Sequence, residues 1–253
     1  MQSNIIKFHA ASRRGSRDSN QDNLRVGDQC SFIDSSHDFV LGGKLDGTKT
    51  QVVCVCDGIG GGSMGEKASA RGLYAIKEFL TEAEKLPLKD LLLGAAQAAN
   101  ERVVNLYRLS HEMGGTTLAM AGIRGREYAI LNIGDSPVFH YRRKEDQLVE
   151  LSQRHNAEWE KRRKGLQPAP DDCSKLSRCL GLQGLDVASA AHLTCGTLEP
   201  GDALLLCSDG ISEVFTEAQL KSCMKWKIGA RLMTWYAARK PGSDNSTALR
   251  LDV

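Results

Sequence analysis

Two stretches in the first half of the chain repeat their apolar residues with the period of an α-helix. The first places them three or four positions apart, at Leu73, Ile76, Leu80 and Ala83. The second does the same after Pro87, at Leu88, Leu92, Ala95, Ala99 and Leu106. Such spacing gives each helix one apolar stripe, so we predict an antiparallel pair joined by a short polar turn. A third helical region is predicted from Glu217 to about Arg239, with a break at 227–229.

Most of the remaining chain has the pattern of short β-strands. Apolar runs typical of strands occur at 52–56, 116–123, 128–133, 138–142 and 203–207. The last segment, 247–253, alternates apolar and polar residues, which predicts a half-buried strand. The glycines and arginines at 122–126 indicate an antiparallel hairpin. Hairpins together with segregated helices favour an α+β fold with packed sheets over a doubly wound parallel sheet.

The residues from about 152 to 192 fit neither the helical nor the strand pattern. They are polar, contain Pro168 and Pro170, and carry a basic run at 161–164. A long irregular segment in a compact domain is usually functional or disordered. We predict one domain over residues 1–253, with a flap-like insertion at about 152–192. The basic run could contact acidic partners, although a solvated helix face explains it as well.

Composition and charge narrow the class of protein. Of 253 residues, 41% are hydrophobic and 25% charged, as in soluble globular proteins. The formal net charge of +2 is too small to attract a polyanion, so nucleic acid is not an expected partner. Apolar runs such as 203–207 are far shorter than the roughly 20 residues that span a bilayer. The first residues lack the order of a secretory signal, so we predict a cytoplasmic protein without a membrane span.

The cysteines favour free thiols over a disulfide framework. There are eight, and none has Cys-x-x-Cys spacing. The spacing of Cys54 and Cys56 would suit a metal pair, yet both lie in a predicted strand that points them to one face. Buried packing is the simpler interpretation.

Five aspartates stand where a predicted strand meets a turn: Asp22, Asp57, Asp135, Asp209 and Asp244. A plain turn explains any one of them, because aspartate bonds its own backbone and glycine accepts positive φ. Five carboxylates brought together at the ends of packed strands would repel each other unless cations neutralised them. Oxygen ligands without a matching Cys or His set favour magnesium or manganese over zinc.

Six short motifs follow one another along nearly the whole chain. They are Arg17-Asp18-Ser19-Asn20-Gln21-Asp22, Asp57-Gly58-Ile59-Gly60-Gly61, Gly115-Thr116-Thr117, Gly134-Asp135-Ser136, Ser208-Asp209-Gly210 and Ser243-Asp244-Asn245-Ser246-Thr247. Each is weak alone. In this order and spacing they resemble the PP2C-type, or PPM, metal-dependent protein serine/threonine phosphatases, and the compact layout resembles bacterial stand-alone members.

The resemblance implies a fold and an activity. The expected fold is a four-layer α-β-β-α sandwich, in which two antiparallel sheets are flanked by helix pairs. The expected reaction is hydrolysis of phosphoserine or phosphothreonine by water activated at a binuclear manganese or magnesium centre, with a third, weaker ion possible. The expected partners are a phosphorylated protein substrate and an opposing serine/threonine kinase, and the protein is expected to be a monomer.

The resemblance also implies roles for individual residues. Asp57 corresponds to the carboxylate that bridges both ions, and the Gly58 carbonyl to a ligand of the second. Further ligands correspond to Asp209 and Asp244 for the first ion, Asp22 as a direct or water-mediated partner, and Asp135 in a third site. Arg17 corresponds to the phosphate-binding arginine, whose planar fork matches two phosphate oxygens.

Three positions depart from the family pattern. Gln21 stands where members often have glutamate, Ile59 where eukaryotic members often have histidine, and Pro137 where arginine is usual. Gln21 and Pro137 leave an alternative open, a catalytically silent PP2C-like regulator that binds a phosphoprotein. A general small-molecule phosphatase is a third possibility. The central aspartates favour an active enzyme, because a binding module has no need of carboxylates that repel without metal.

Overall fold

The computed structural model describes residues 5–27, 29–30, 38–60, 63–83, 85–110 and 114–253, with the backbone alone at 29–30 and 109–110. Residues 1–4 and Gly61, both used above, lie outside these ranges. The strands are β1 (Ile5–Arg13), β2 (Asn23–Val26), β3 (Gln29–Cys30), β4 (Phe39–Asp46), β5 (Gln51–Cys56), β6 (Gly58–Gly60), β7 (Gly114–Thr116), β8 (Leu118–Arg124), β9 (Glu127–Ile133), β10 (Val138–Arg142), β11 (Gln147–Glu150), β12 (His192–Thr197), β13 (Ala203–Cys207) and β14 (Ser246–Asp252). The helices are α1 (Met64–Glu82), α2 (Leu88–Ser110), α3 (Ala157–Arg163), α4 (Val187–Ala190), α5 (Asp209–Ser212), α6 (Glu217–Lys225) and α7 (Ala230–Ala237).

The strands form two large sheets whose neighbours pair antiparallel. The first has the order β11-β10-β13-β14-β1-β4, and the second the order β12-β9-β8-β5-β2-β3. A small third sheet pairs β6 with β7. The hairpin predicted at 122–126 is present, because Arg124 pairs with Glu127 and Gly125 adopts a φ of 63°.

Three apolar cores separate four layers. Between the sheets pack alternate residues of both, including Phe8, Val53, Ile130, Leu206 and Leu249. The other face of the second sheet packs on α1 and α2, through residues such as Leu73, Leu92, Met120 and Leu131. The outer face of the first sheet packs on α5, α6 and α7, through residues such as Tyr141, Leu205, Leu220 and Met233. The predicted α-β-β-α sandwich is confirmed.

The first helix pair is antiparallel, as its periodicity predicted. Gly72 in the middle of α1 faces Val103 in the second half of α2. At the other end of the pair, a Cβ on Gly94 would lie only 2.3 Å from the ring of Phe79. The helices therefore approach closely where the absent side chain leaves room for the ring. The break at 227–229 is also present, since α6 ends at Lys225 and Lys227 has a φ of 53°.

Two strand predictions were wrong in detail. The run 116–123 is not one strand, because β7 ends at Thr116 and β8 begins at Leu118. The final strand is not half-buried, since β14 is central in its sheet and α6 and α7 cover its second face. Arg250 on that face is only 1% exposed. The alternation of apolar and polar residues therefore predicted an exposed side chain at a position where the charge is buried. The sequence argument also did not assign β1, β4 and β12.

Residues 152–192 link the edge strands of the two sheets, since they begin after β11 and end at β12. They contain α3 and α4, and isolated bridges pair Leu180 with Thr116 and Leu176 with Asn156. Leu180 and Val187 are buried in the core shared with α2. The segment thus supplies core residues, contrary to what its polarity suggested. Within the described ranges, no helix is both long and apolar enough to cross a membrane.

Candidate metal centre

An open cleft of about 460 Å³ lies at the end of the sandwich where β5 and β13 finish. Its walls include six of the seven predicted site residues: Arg17, Asp57, Gly58, Asp135, Asp209 and Asp244. The seventh, Asp22, does not line the cleft. It is buried, with 4% of its surface exposed, and its Oδ2 accepts a 2.8 Å hydrogen bond from Ser208 Oγ.

The backbone on either side of Asp57 is fixed by Thr117, the residue between β7 and β8. Its N–H donates to Thr117 Oγ1 at 2.9 Å, and its carbonyl accepts from the Thr117 N–H at 2.8 Å. The next residue, Gly58, lies against the start of α1, where a Cβ would be 2.1 Å from the Gly65 carbonyl oxygen. Only glycine fits there. The strand therefore ends in a rigid turn that aims the Asp57 side chain into the cleft.

The turn that carries Asp135 is held by a buried histidine. Gly134 has a φ of 106°, and its N–H donates to His155 Nδ1 at 3.1 Å. The backbone N–H of His155 donates back to the Gly134 carbonyl at 2.9 Å. Burial lowers the pKa of His155 to about 4, so the ring is neutral and its Nδ1 can accept. His155 therefore has a structural role, as the acceptor that holds the turn of Asp135.

The carboxylates raise one another's pKa. Burial, followed by repulsion from Asp22 and Asp209, raises the pKa of Asp57 well above its usual value. Burial raises the pKa of Asp22 and that of Asp135 to about 7 each, and nearby aspartates add to both shifts. The pKa of Asp209 is also raised, mainly by burial and by Asp244. The protein alone therefore leaves this negative charge largely uncompensated.

The donor chemistry fits divalent cations. Among the described residues, Asp22 Oδ1 and Asp209 Oδ1 are buried without a hydrogen-bond partner, which is costly for carboxylate oxygens. In the described part of the chain, no three His, Cys, Asp or Glu side chains already stand close enough to enclose an ion by themselves. Each ion would therefore need further oxygen ligands, such as the Gly58 carbonyl and water. Magnesium in particular usually keeps several waters.

Arg17 provides positive charge at the edge of the cleft. Its Nη2 lies 2.5 Å from Asp244 Oδ2, and 59% of its side chain is exposed. The hydrogen bond to Asp244 is the largest of the influences that raise the pKa of Arg17. Gly15, with a φ of 66°, brings this loop close to Asp244, whose carbonyl oxygen would lie 2.3 Å from a Cβ on the glycine. The first and last motifs thus meet at one wall.

The departures from the family pattern have visible consequences. Gln21 and Ile59 both line the cleft, so a neutral amide and an apolar side chain stand there. The Gln21 side-chain amide donates to the Gly60 carbonyl at 3.3 Å. Pro137 lies at the start of β10, and its carbonyl accepts from the Cys207 N–H at 3.2 Å. Gln21 therefore stabilises the turn after Asp57 instead of adding a negative charge.

Several residues matter here that the sequence argument gave no role. Asn245 accepts from the Gln21 N–H and donates to the carbonyls of Arg14 and Ser19, which fixes the first motif against the last. Glu213 contributes to the raised pKa of Asp135, and its own pKa is raised by burial and by Asp209. Asn245 stood inside a quoted motif, which was a usable signal. No sequence signal pointed to Glu213, because only the folding of α5, which it directly follows, brings it to the cluster.

Comparisons with known proteins identify the class. A model of the family described as protein phosphatase 2C matches residues 35–243, more than half of the chain. The chain is similar to the serine/threonine phosphatase stp of Listeria innocua, with 26% identity over 216 residues that cover 81% of this chain and 85% of the relative. The chain belongs to the protein phosphatase 2C family, and it is a protein phosphatase. The predicted family and enzyme class are confirmed.

Solved structures support the same fold. The catalytic domain of the serine/threonine protein phosphatase PstP, in complex with two manganese ions, has a TM-score of 0.76 at 22% identity over 98% of both chains. The serine/threonine phosphatase of S. agalactiae has a TM-score of 0.79 at 20% identity over 98% of this chain and 99% of its own. The fold class is confirmed, whereas the roles of the individual site residues stay predictions.

Proposed function

We propose that the protein hydrolyses phosphoserine and phosphothreonine in protein substrates, using two manganese or magnesium ions held at the aspartate cleft. The observation that carries this proposal is the set of buried carboxylates whose charges the protein does not compensate. Two of their oxygens, on Asp22 and Asp209, have no hydrogen-bond partner in the part of the chain that the structure describes. The manganese complex of PstP and the names of the bacterial relatives support the choice of ion and substrate.

We assign each residue the role that its motif predicts. Asp57 would hold both ions, and the Gly58 carbonyl would serve the second. Asp209 and Asp244 would hold the first ion, and Asp22 would support it from behind, directly or through water. Asp135 would belong to a third, weaker site, where Glu213 adds negative charge.

The residues of this chain prepare the reaction in three ways. Divalent ions, when bound, lower the pKa of water and neutralise phosphoryl oxygens. The aspartates and their rigid turns fix the positions of that charge before the substrate arrives. Arg17, mostly exposed at the cleft edge, binds and orients the phosphoryl group through paired N–H donors. Ile59 lines the wall where a histidine could have served as an acid, so proton transfer falls to water.

A catalytically silent binding protein is the second candidate, favoured by Gln21 and Ile59 in the cleft wall. Turnover separates the two candidates. The purified protein should hydrolyse a phosphothreonine peptide and a chromogenic phosphomonoester when manganese is added, and EDTA should abolish both activities. Phosphopeptide binding without turnover at any metal concentration would establish the silent regulator instead. Turnover of the small ester alone would indicate a small-molecule phosphatase.

We further propose that residues 152–192 act as a flap that helps to select protein substrates without supplying catalytic groups. Ser174 and Leu176 of this segment line the aspartate cleft, which supports the placement. The basic run is largely neutralised within the segment. Arg162 pairs with Glu158 at 2.8 Å, and Lys161 Nζ lies 2.6 Å from Oδ2 of the buried Asp172.

Lys161 therefore stabilises the flap and is left intact in the test. Replacing Arg162, Arg163 and Lys164 by alanine should slow turnover of a phosphoprotein several-fold while the chromogenic ester is unaffected. Alanine at Arg71 and Lys77, exposed on α1, provides the control. Equal loss on both substrates would assign the run to fold stability. Unchanged turnover of both would make it a solvated face.

The biological setting follows from the same proposal. The phosphoproteins would be products of a serine/threonine kinase, which the phosphatase opposes. We propose that the protein acts in the cytoplasm as a monomer. Size-exclusion chromatography with light scattering tests the oligomeric state, and comparison of the phosphoproteome with and without the protein identifies the substrates.

A further inference from the structure

The exposed face of α7 carries aromatic and basic residues side by side. The set that we call the α7 stripe consists of Arg231, Leu232, Trp235 and Tyr236 on the helix and Arg239 just after its C-terminal end. Their spacing places them on one side of the helix, opposite the buried Ala230, Met233, Thr234 and Ala237. Leu232, Trp235 and Tyr236 remain 55%, 43% and 41% exposed. Large apolar side chains clustered at the surface typically mark a binding site.

The stripe lies in a strongly basic part of the chain. Residues 218–243 contain no aspartate or glutamate but six basic residues: Lys221, Lys225, Lys227, Arg231, Arg239 and Lys240. Asp146 pairs with Lys221 at 3.3 Å and with Lys225 at 2.9 Å. Within the described part of the chain, the other four form no ion pair. This local surplus exceeds the net charge of +2 for the whole chain, so the surface is complementary to an acidic partner.

The aromatic rings of the stripe are already ordered by cations. The Arg239 guanidinium lies 4.1 Å from the centroid of Trp235, and Lys240 Nζ lies 4.3 Å from that of Tyr236. Lys240 also donates to the Tyr236 hydroxyl at 2.8 Å. Ordered side chains lose less entropy when a partner binds. Tryptophan, tyrosine and arginine are also the residues that dominate binding energy at protein interfaces.

The C-terminal end of α7 is joined to the wall of the cleft. Ser243 Oγ donates to the Ala238 carbonyl at 3.0 Å, and the Ser243 carbonyl accepts from the N–H and the hydroxyl of Ser16. Arg17 and Asp244, which directly follow Ser16 and Ser243 in their two loops, form the ion pair at the cleft edge. A chain bound along the stripe would therefore end beside the place where a phosphorylated side chain enters.

We infer that the α7 stripe is a docking surface for an acidic segment of the phosphoprotein substrate, in which carboxylates surround an apolar side chain. The inference rests on the proposed function for the identity of the partner. The carboxylates pair with Arg231, Lys227 and the arginine and lysine that follow α7, while the apolar side chain packs on Leu232 and Trp235. Contact with the cleft wall and the interface-like composition favour a protein segment over an anionic bilayer.

Binding is tested apart from catalysis. The probe is a fluorescein-labelled peptide without phosphate, in which Glu and Asp flank Leu and Phe, and its control replaces the acids by Gln and Asn. Fluorescence anisotropy should show saturable binding of the acidic peptide alone. The double variant Arg231→Glu with Arg239→Glu should weaken binding at least about tenfold, and so should Trp235→Ala.

A matched surface on the opposite helix layer provides the control. Tyr74 on α1 is 41% exposed, as Tyr236 is, and Arg102 stacks over its ring. Arg71→Glu with Lys77→Glu, and Tyr74→Ala, should leave peptide binding unchanged. Equal weakening by both sets of variants would overturn the inference. So would binding of both peptides alike, or binding of phosphatidylglycerol vesicles without binding of the acidic peptide.

A kinetic arm separates this inference from the proposed function. Attaching the acidic segment to a phosphothreonine peptide should raise kcat/KM several-fold for the native protein and not for the Arg231→Glu, Arg239→Glu variant. Turnover of the chromogenic ester should be the same in both. Absence of all turnover would refute the phosphatase assignment, whereas an acidic segment without effect on an active enzyme would refute the docking surface.

Discussion

Two regions of the molecule bury charge in opposite ways. Arg250 lies on the helix-covered face of β14. It is 1% exposed, yet its guanidinium is hydrogen-bonded throughout. Its guanidinium donates to the carbonyls of Cys223, Met224 and Ile228 and to the Asp252 carboxylate, at distances from 2.7 to 3.3 Å. At the cleft, the buried carboxylates face each other, and oxygens of Asp22 and Asp209 have no hydrogen-bond partner within the described ranges.

The difference shows how a structural charge can be distinguished from a functional one. The carbonyls that Arg250 satisfies belong to the end of α6 and the turn after it, where helices leave acceptors unpaired. The protein completes that network by itself. At the cleft it leaves negative charge uncompensated, which costs stability in the protein alone and favours cation binding. An incomplete buried network is therefore a stronger sign of function than a complete one.

The largest expected effect is the loss of activity in Asp57→Asn. The amide keeps the shape of the side chain but removes the charge proposed to bridge two ions, so kcat/KM should fall about a thousandfold. Because the substitution also removes repulsion from Asp22 and Asp209, the metal-free protein should be no less stable than the native one. Steady-state kinetics and urea unfolding measure the two quantities. Asp18→Asn, which alters a carboxylate of the same cleft without a proposed ligand role, should retain most activity.

Replacing Arg250 should act on stability instead. Arg250→Met fills similar space but removes the guanidinium donor from the Ile228 carbonyl, the second donor from the Cys223 and Met224 carbonyls, and the cation beside Asp252, so the free energy of unfolding should fall by about 3 kcal/mol. Arg250→Lys should recover only part of that loss, because an ammonium group lacks the planar fork. Denaturant unfolding checks this. Normal stability in Arg250→Met, or reduced activity per folded molecule, would contradict the division of roles between the two regions.

Replacing Arg17 tests a cationic side chain that partly compensates the negative charge of the cleft. Since its side chain is mostly exposed beside Asp244, Arg17→Ala should raise KM about tenfold and lower kcat less, while metal affinity changes little. Arg17→Lys should restore part of the affinity for substrate, because it keeps the charge without the paired donors. Kinetics together with calorimetric titration of manganese separates the two properties. Lost metal binding with an unchanged KM would make Arg17 a structural residue.

The smallest expected effect is a pH dependence that originates at His155. Its pKa in the folded protein, about 4, lies below the unfolded value of about 6.5. The unfolded chain therefore binds more protons between these values, so this contribution to stability is complete above pH 6.5 and declines as the pH falls towards 4. By pH 5 the loss should be roughly 2 kcal/mol. His155→Gln, which keeps an acceptor for the Gly134 N–H, should lose less stability between pH 7 and 5 in thermal unfolding.

The fold could be predicted from the sequence where one element determined its own environment. The stripes of α1 and α2 and the apolar runs of β5, β10 and β13 have a single consistent interpretation, and the structure confirms them. The strand at 247–253 did not have a single consistent interpretation, because the helices that cover it come from another part of the chain. For the same reason the burial of Arg250 could not be predicted, because its partners on α6 are distant in sequence. Leu180 and Val187 were hidden because they are isolated in a polar segment.

The candidate site could be predicted further than the fold around it, because its aspartates stand in short motifs at strand ends. Six of the seven predicted residues line one cleft, with Asp22 buried behind it. What the motifs could not reveal was the support for that arrangement. His155 fixes the Asp135 turn from a segment that had been interpreted as a flap, and Glu213 joins the cluster from α5. Such support depends on tertiary packing.

Calorimetric titration of manganese into EDTA-stripped protein tests the central claim most directly. If the cleft leaves its carboxylates for cations to neutralise, the native protein should bind two ions and unfold at a higher temperature when they are present. Asp57→Asn should lose at least one ion and most of this thermal shift, and Arg250→Lys should keep both ions. No manganese binding by the native protein, or the same stoichiometry and affinity in Asp57→Asn, would contradict the account.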